Sequence, residues 1–183
     1  MMSVTKLLIA NRGEIAIRIA RAAADMGVPT VAVYSEDDSR SLHLRVADEF
    51  QALPGRGAAA YLDTAALIAA ATASGCDAIH PGYGFLAERG DFARMCADAG
   101  LTFVGPDAQH LELFGDKARA RIAAAAASVP VIRGLDRAVT LAEAGAFFAS
   151  LRPGSGMMVK ALAGGQGAGR WRRSRHARGA VSR

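Results

Sequence analysis

Short apolar runs alternate along the first part of the chain with stretches in which apolar positions repeat every three or four residues. This pattern predicts β-strands at residues 6–10, 30–34, 49–53, 77–80 and 101–104. It predicts helices between them at residues 13–26, 41–47, 64–74 and 91–99, and a Gly/Ala loop at residues 53–60. Short strands separated by helices pair in parallel through right-handed crossovers, so we expect an α/β fold with a doubly wound parallel sheet.

Polar and glycine-rich residues follow three of the predicted strands. The segments are Asn-Arg-Gly-Glu at 11–14, Ser-Glu-Asp-Asp at 35–38 and His-Pro-Gly-Tyr-Gly at 80–84. In a doubly wound sheet, ligands bind at the carboxyl ends of the strands. The pattern therefore predicts a functional edge there, although every strand must also end in a loop.

Three residues of this edge could be functional or structural. His80 resembles a general base, but its place before Pro-Gly favours a structural role. For Glu14 too the structural role is favoured, as a carboxylate that interacts well with the dipole at the start of its helix. Arg12 is equally compatible with an anion contact and with a plain surface residue.

The pattern changes after Gly105. Two helices are predicted at residues 107–114 and 116–127, each with an aspartate near its start, followed by an extended stretch at 128–136. Thr140 and Glu143 have the spacing of a capping box, which opens a helix to about residue 151. A strand at residues 157–161 then leads into a glycine-rich loop.

That loop has the composition of an anion-binding site. Lys160 ends the strand, and glycines follow at 164, 165, 167 and 169. Glycine lets backbone N–H groups approach phosphate oxygens, and lysine adds a compact charge. The spacing matches neither the Walker motif nor the dinucleotide fingerprint, so a plain flexible turn remains the alternative.

Lysine is scarce in this chain. The 22 basic residues include lysine only at positions 6, 117 and 160, and arginine supplies the rest. Where arginine is the usual base, a lysine suggests a need for a compact ammonium rather than a planar fork. Lys117 and Lys160 both lie beside glycines, so chance placement competes with a role in ligand binding.

The charge distribution argues against a general nucleic-acid-binding face. The net charge is +5, but all 17 acidic residues lie at or before Glu143, and six arginines lie between Arg170 and Arg183. The rest of the chain is close to neutral. A nucleic-acid binder that uses this basic segment, with Trp171 as a stacking group, is the weakest of the functional hypotheses.

Other features indicate a chain of the cytoplasm. Cys76 and Cys96 lack the spacing of a metal or redox site, which favours two reduced core thiols. No secretory leader is expected at the N-terminus, because the apolar run at residues 7–10 is immediately followed by polar residues. No apolar run approaches the ~18 residues of a membrane span.

Several motifs resemble biotin carboxylase, the ATP-dependent component of acyl-CoA and pyruvate carboxylases. They are KLLIANRGEIAIR at 6–18, AIHPGYGFL at 78–86, FVGP at 103–106, GDK at 115–117 and MVKA at 158–161. The resemblance covers residues 6–160 in the family's order and spacing. It implies a Rossmann-like N-terminal domain at residues 1–115, the start of an ATP-grasp domain at 116–169, and a basic segment at 170–183.

The resemblance also implies a reaction. Members use ATP, Mg²⁺ and bicarbonate to carboxylate biotin on a carrier protein, giving carboxybiotin, and a carboxyltransferase is a further partner. By the same resemblance, Lys117 and Lys160 contact ATP phosphates, and Tyr83 and Gly84 lie near biotin. The glycines of the predicted lid over the nucleotide are Gly164, Gly165, Gly167 and Gly169.

The chain departs from the family pattern in this lid. Gln166, Ala168 and Arg170 replace the usual glycine, arginine and methionine, and the arginine-rich residues after Trp171 lack strand periodicity. We therefore expect residues 170–183 to be disordered or translated out of frame, and the family's metal ligands and carboxylation residues to be absent. On this basis the chain is a truncated carboxylase without activity of its own. A non-catalytic Rossmann-like module that binds a nucleotide or a partner is the alternative.

Overall fold

A computed structural model describes residues 4–135, 137–152, 154–160 and 168–172. The side chains of Lys160 and of residues 168–172 lie outside the described part. The chain divides into two compact units, Met1–Gly115 and Asp116–Arg183.

The first unit is built on a sheet of parallel strands in the order β3-β2-β1-β4-β5. The strands are β1 (Leu7–Ile9), β2 (Thr30–Tyr34), β3 (Glu49–Ala52), β4 (Ala78–His80) and β5 (Thr102–Phe103). Its helices are α1 (Gly13–Asp25), α2 (Gly57–Ala60), α3 (Thr64–Ala73), α4 (Gly90–Asp98) and α5 (Ala108–Gly115). The predicted α/β parallel sheet is confirmed.

Side chains at alternate positions along the strands are buried on opposite faces of the sheet. Leu8 and Ile79 join one core cluster, together with residues of α3 and α4 such as Leu67 and Phe92. Ile9 packs on the other face, in a cluster with alanines of α1. Because side chains along a strand alternate with a period of two, apolar residues at consecutive positions cover both faces. Helices on both faces then exclude water from the central strands.

Helix starts agree with the capping residues that the sequence predicts. The Asp63 carboxylate accepts a hydrogen bond from the Ala66 N–H at 3.0 Å at the start of α3. In the second unit, Asp116 accepts from two amides at the start of α6 (Lys117–Ala126). Thr140 and Glu143 form the predicted capping box of α7 (Leu141–Ala149). Each bond satisfies an amide that the helix leaves unpaired.

The second unit also contains two antiparallel strands, β6 (Gly156–Lys160) and β7 (Ala168–Arg172). Residues 170–183 were expected to be disordered or translated out of frame; of these, Arg170–Arg172 lie in β7. These residues pair with Gly156–Met158 despite their basic composition. Backbone pairing with an existing strand needs no apolar alternation, which explains why the sequence pattern did not indicate β7.

Two further segments differ from the prediction. Residues 53–60 are not only a loop, since α2 begins at Gly57, where the N–H donates to Asp37 Oδ1 at 2.8 Å. The brief helix predicted at 41–47 is a 3₁₀ turn, Leu42–Arg45, and another 3₁₀ turn covers Glu36–Asp38. Within the described ranges, no helix is long and apolar enough to cross a membrane.

Candidate functional site

The sheet changes winding direction between β1 and its neighbour β4. β2 and β3 lie on one side of β1, and β4 and β5 lie on the other. In doubly wound sheets, ligands bind at the carboxyl edge beside such a point. In this unit, the loops that follow β1 and β4 are therefore where the fold favours ligand binding.

Asn11 connects the two loops. Its side chain is 2% exposed, and Nδ2 donates to the carbonyl oxygens of Pro81 at 2.8 Å and Tyr83 at 3.1 Å. Its Oδ1 accepts from the Arg12 N–H at 2.9 Å. The amide group of one side chain thus fixes the backbone of residues 81–83 against the start of α1.

The loop after β4 has an unusual backbone. Gly82 and Gly84 have φ values of +70° and +69°, and Phe85, which is not a glycine, has φ of +42°. A Cβ at Gly82 would lie 2.6 Å from Asn11 Nδ2, so no larger residue fits there without displacing the amide. Tyr83, between the two glycines, is 72% exposed.

The His80 imidazole forms a hydrogen bond within this loop. Its Nδ1 accepts a hydrogen bond from the Gly82 N–H at 3.0 Å. Burial lowers the pKa of the imidazole, so the ring is neutral near pH 7. A neutral ring whose Nδ1 is an acceptor fits a structural role better than that of a free general base.

A second polar network lies at the end of β2. Arg12 Nη1 donates to Asp38 Oδ2 at 2.9 Å, and the fully buried Tyr61 donates its hydroxyl to the same oxygen at 2.9 Å. Ser41 Oγ donates to Asp38 Oδ1 at 2.9 Å, and the Tyr61 oxygen accepts from the Ser35 N–H at 3.4 Å. Arg12 is therefore oriented by a carboxylate, and its other guanidinium N–H groups remain available as donors.

The pKa values of this network follow from its contacts. Burial would raise the pKa of Asp38, but hydrogen bonds from Arg12, Tyr61 and Ser41 outweigh it and hold that pKa below its usual value. Burial, together with the bond to Asp38, raises the pKa of Tyr61 to about 12. At neutral pH the network thus contains a charged Arg–Asp pair and a neutral phenol.

The Tyr61 ring also connects this network to the loop after β4. Phe85 stacks on Tyr61 with ring centroids 5.5 Å apart, and the Arg12 guanidinium carbon lies 5.6 Å from the Tyr61 centroid. The loops after β1, β2 and β4 are thereby joined around Tyr61.

The predicted nucleotide contacts fall in the second unit. Lys117 is the first residue of α6, exposed, and its ammonium forms no ion pair with the residues described. Lys160 ends β6 and pairs with Ala168, next to the pair of Val159 and Gly169. Gly164, Gly165 and Gly167 lie outside the described residues.

Three residues organise this edge, namely Asn11, Asp38 and Tyr61. Asn11 and Asp38 belong to the predicted edge segments 11–14 and 35–38, but the sequence pattern does not single out either residue. Tyr61 is not predicted, because it lies beside an alanine run that predicted a loop. In the described part of the chain, no group of three or more His, Cys, Asp or Glu is arranged to hold a metal ion.

Comparison with known proteins identifies relatives of both sequence and structure. Residues 3–111 match the family profile described as "Biotin carboxylase, N-terminal domain". The chain is 48% identical over 172 residues to pyruvate carboxylase of Staphylococcus aureus, covering 92% of this chain and 15% of that protein. It is 46% identical over 165 residues to biotin carboxylase of Pseudomonas aeruginosa, covering 90% of this chain and 37% of that protein.

Solved structures agree with these relatives. The biotin carboxylase domain of a single-chain bacterial carboxylase is 59% identical with a TM-score of 0.76, over 79% of this chain and 34% of that chain. The biotin carboxylase domain of a thermophilic 2-oxoglutarate carboxylase, bound to bicarbonate, is 38% identical with a TM-score of 0.77. That match covers 86% of this chain and 36% of the other. The chain spans 15% to 37% of the lengths of the two curated relatives described.

Proposed function

The chain belongs to the biotin carboxylase N-terminal domain family, and from this premise we propose that it forms part of a biotin carboxylase. In that reaction ATP activates bicarbonate, and the carboxyl group is transferred to biotin on a carrier protein. The observation that carries the proposal is the loop after β4, which presents an exposed Tyr83 at the carboxyl edge of the sheet.

On the biotin side, the proposal assigns binding contacts to Tyr83 and Gly84. An exposed phenol offers an apolar face and a polar tip, which suits a ring system that combines an apolar thioether ring with a polar ureido group. Gly84 has no side chain and a φ of +69°, which leaves its backbone open to close approach. These residues would bind and orient the ring, and neither would transfer a proton.

On the nucleotide side, the proposal assigns phosphate contacts to Lys117 and Lys160. An exposed ammonium without an ion pair among the described residues, as at Lys117, is available to offset polyphosphate charge. Gly164, Gly165, Gly167 and Gly169 would cover the nucleotide and exclude water. The segment from Asp116 onward would then be the start of an ATP-grasp domain.

We propose that the family's metal ligands are absent from these 183 residues. Support comes from the described residues, among which no group of three or more His, Cys, Asp or Glu could hold a metal ion such as Mg²⁺. We propose that these 183 residues bind parts of the substrates but do not complete turnover by themselves. A carrier protein and a carboxyltransferase would be the partners, and two buried free thiols, Cys76 and Cys96, fit a reducing cytoplasm.

ATP binding and turnover test this proposal separately. Calorimetric titration with ATP is expected to show binding to the wild-type chain and binding weakened about tenfold in Lys117→Gln. Lys6→Gln is the matched control, because the Lys6 ammonium is paired with Glu49 at 2.8 Å. Equal affinity in all three chains would contradict the assignment of Lys117.

Bicarbonate-dependent ATP hydrolysis with free biotin tests whether the chain is catalytically incomplete. We expect no turnover above background from the 183 residues. Measurable turnover would refute this part of the proposal. Binding of a partner without binding of ATP or biotin would favour the non-catalytic module instead.

A further inference from the structure

We propose that Asn11 is a positioning residue that clamps the loop after β4 and so sets where Tyr83 and Gly84 are presented. This inference rests on the proposed function for its ligand, biotin, but the clamp itself is a property of this chain. Asn11 would act on biotin only through the loop, since its side chain is buried and fully occupied by backbone groups.

The chemistry of the Asn11 side chain matches the backbone groups around it. An amide donates through its nitrogen and accepts through its oxygen, and Asn11 uses both, toward two carbonyls and one N–H. A carboxylate of the same shape would bring negative oxygen to the carbonyls of Pro81 and Tyr83. An apolar residue would leave those partners unpaired in a buried site. The position therefore requires a primary amide of this length.

The loop after β4 fits closely around the Asn11 amide. The Gly82 backbone lies so close that an added Cβ would be 2.6 Å from Asn11 Nδ2 and 2.7 Å from Ile15 Cγ2. The Gly82 N–H is held by His80 Nδ1 on the other side. Residues 81–83 are thus wrapped around one side chain rather than resting on a surface.

The far end of the loop is held by Tyr61. Phe85 has a φ of +42°, which is costly for a residue with a side chain, and its ring stacks on Tyr61. A backbone in this region persists when its surroundings hold it. Asn11 and Tyr61 fix the loop from both ends, and the exposed Tyr83 lies between them.

The chemistry also explains why a fixed loop is useful here. A phenol on a mobile loop would lose conformational entropy on contact with the biotin ring system, and that loss would weaken binding. A loop already held in one backbone conformation avoids this cost. The clamp therefore predicts that loosening Asn11 weakens biotin binding while the sheet below stays intact.

The test compares Asn11→Asp with wild type by amide hydrogen exchange and by biotin titration, both followed by NMR. We expect the Gly82 amide to exchange about tenfold faster in the variant, with β1 amides changed less than about twofold. We expect the apparent Kd for free biotin to rise about tenfold. Thr30→Val is the matched control: it removes a buried polar side chain at the opposite end of the sheet, where Thr30 Oγ1 bonds to Asp48.

The outcomes separate the clamp from the proposed ligand. Unchanged Gly82 exchange in a folded Asn11→Asp would overturn the clamp. Faster exchange without biotin binding to the wild type would keep the clamp and refute the proposed biotin site. If Asn11→Asp does not fold, the exchange rate of the Asn11 side-chain amide protons in the wild-type chain tests the clamp instead. These protons are expected to exchange about a hundredfold slower than those of a free asparagine, and exchange at the free rate would overturn the inference.

Discussion

Removal of the Tyr61 hydroxyl tests whether the polar network at the end of β2 stabilises the fold. Tyr61→Phe keeps the ring, its stack on Phe85 and its contact with the Arg12 guanidinium. It deletes one bond to a carboxylate, at 2.9 Å to Asp38, and the 3.4 Å bond from the Ser35 N–H. The substitution therefore isolates the hydrogen bonds from the packing.

The expected loss follows from the two bonds. A hydrogen bond to a charged group contributes about 1.5–3 kcal/mol. Asp38 keeps its bonds to Arg12 and Ser41, which favours the lower half of that range. The long bond from Ser35 adds little, but its amide loses a partner in a buried site. We therefore expect Tyr61→Phe to lower the free energy of unfolding by about 2 kcal/mol.

Urea unfolding at pH 7, followed at the amide resonances of β1 and β2, measures this loss. Tyr34→Phe is the matched control, because Tyr34 also contacts a phenylalanine, Phe50, with centroids 6.0 Å apart. We expect that control to change stability by less than about 0.5 kcal/mol. A loss below about 0.5 kcal/mol in Tyr61→Phe, or an equal loss in both variants, would refute the reasoning.

A double-mutant cycle and the pH dependence locate the effect at Asp38. Combining Tyr61→Phe with Asp38→Ala is expected to give a coupling energy of about 1–2 kcal/mol. The pKa of Asp38 is lowered in the folded state, so the stability it provides is present above its unfolded pKa and is lost as pH falls through the folded value. The penalty of Tyr61→Phe should therefore shrink in acid, and a penalty independent of pH would contradict this assignment.

The remaining predictions concern backbone, burial and capping. In the same urea assay, Gly82→Ala should lower the free energy of unfolding by about 3 kcal/mol, because φ is positive and the new Cβ would lie 2.6 Å from Asn11 Nδ2. Gly100→Ala, at φ +73° with no atom near the new Cβ, should lower it by about 1–2 kcal/mol. Burial raises the pKa of Cys76 and of Cys96 to about 11. The melting temperature should therefore be unaffected by these thiols below pH 9 and decrease between pH 9 and 11. Replacing both cysteines by alanine should make this decrease smaller. Asp116→Ala should cost α6 about 1 kcal/mol, measured by amide exchange in that helix, because two amides lose their acceptor; unchanged exchange would contradict the cap.

Much of the fold was predictable because its strands and helices follow their own periodicities. The parallel strands and the Asp63 cap of the first unit match the sequence pattern, as do the Asp116 cap and the Thr140–Glu143 capping box of the second unit. The resemblance to biotin carboxylase is confirmed by the family match over residues 3–111. These features depend on residues close together in sequence, which a single chain can reveal.

Features that depend on distant partners were missed. Helix α2 begins where Gly57 donates to Asp37, 20 residues earlier. Strand β7 is defined by its pairing with β6, not by its own composition. Asn11 and Tyr61 organise the carboxyl edge through contacts 23 to 72 residues away in sequence, which periodicity does not reveal. The roles of Lys117, Lys160 and the lid glycines stay predictions.

Intermolecular nuclear Overhauser effects between biotin and the chain would show whether biotin binds at the loop after β4. We expect contacts from biotin ring protons to the Tyr83 ring, with shifts of the Gly82 and Gly84 amides and an unchanged pattern at the opposite end of the sheet. Contacts elsewhere on the surface, with the Tyr83 ring unaffected at saturating biotin, would contradict it.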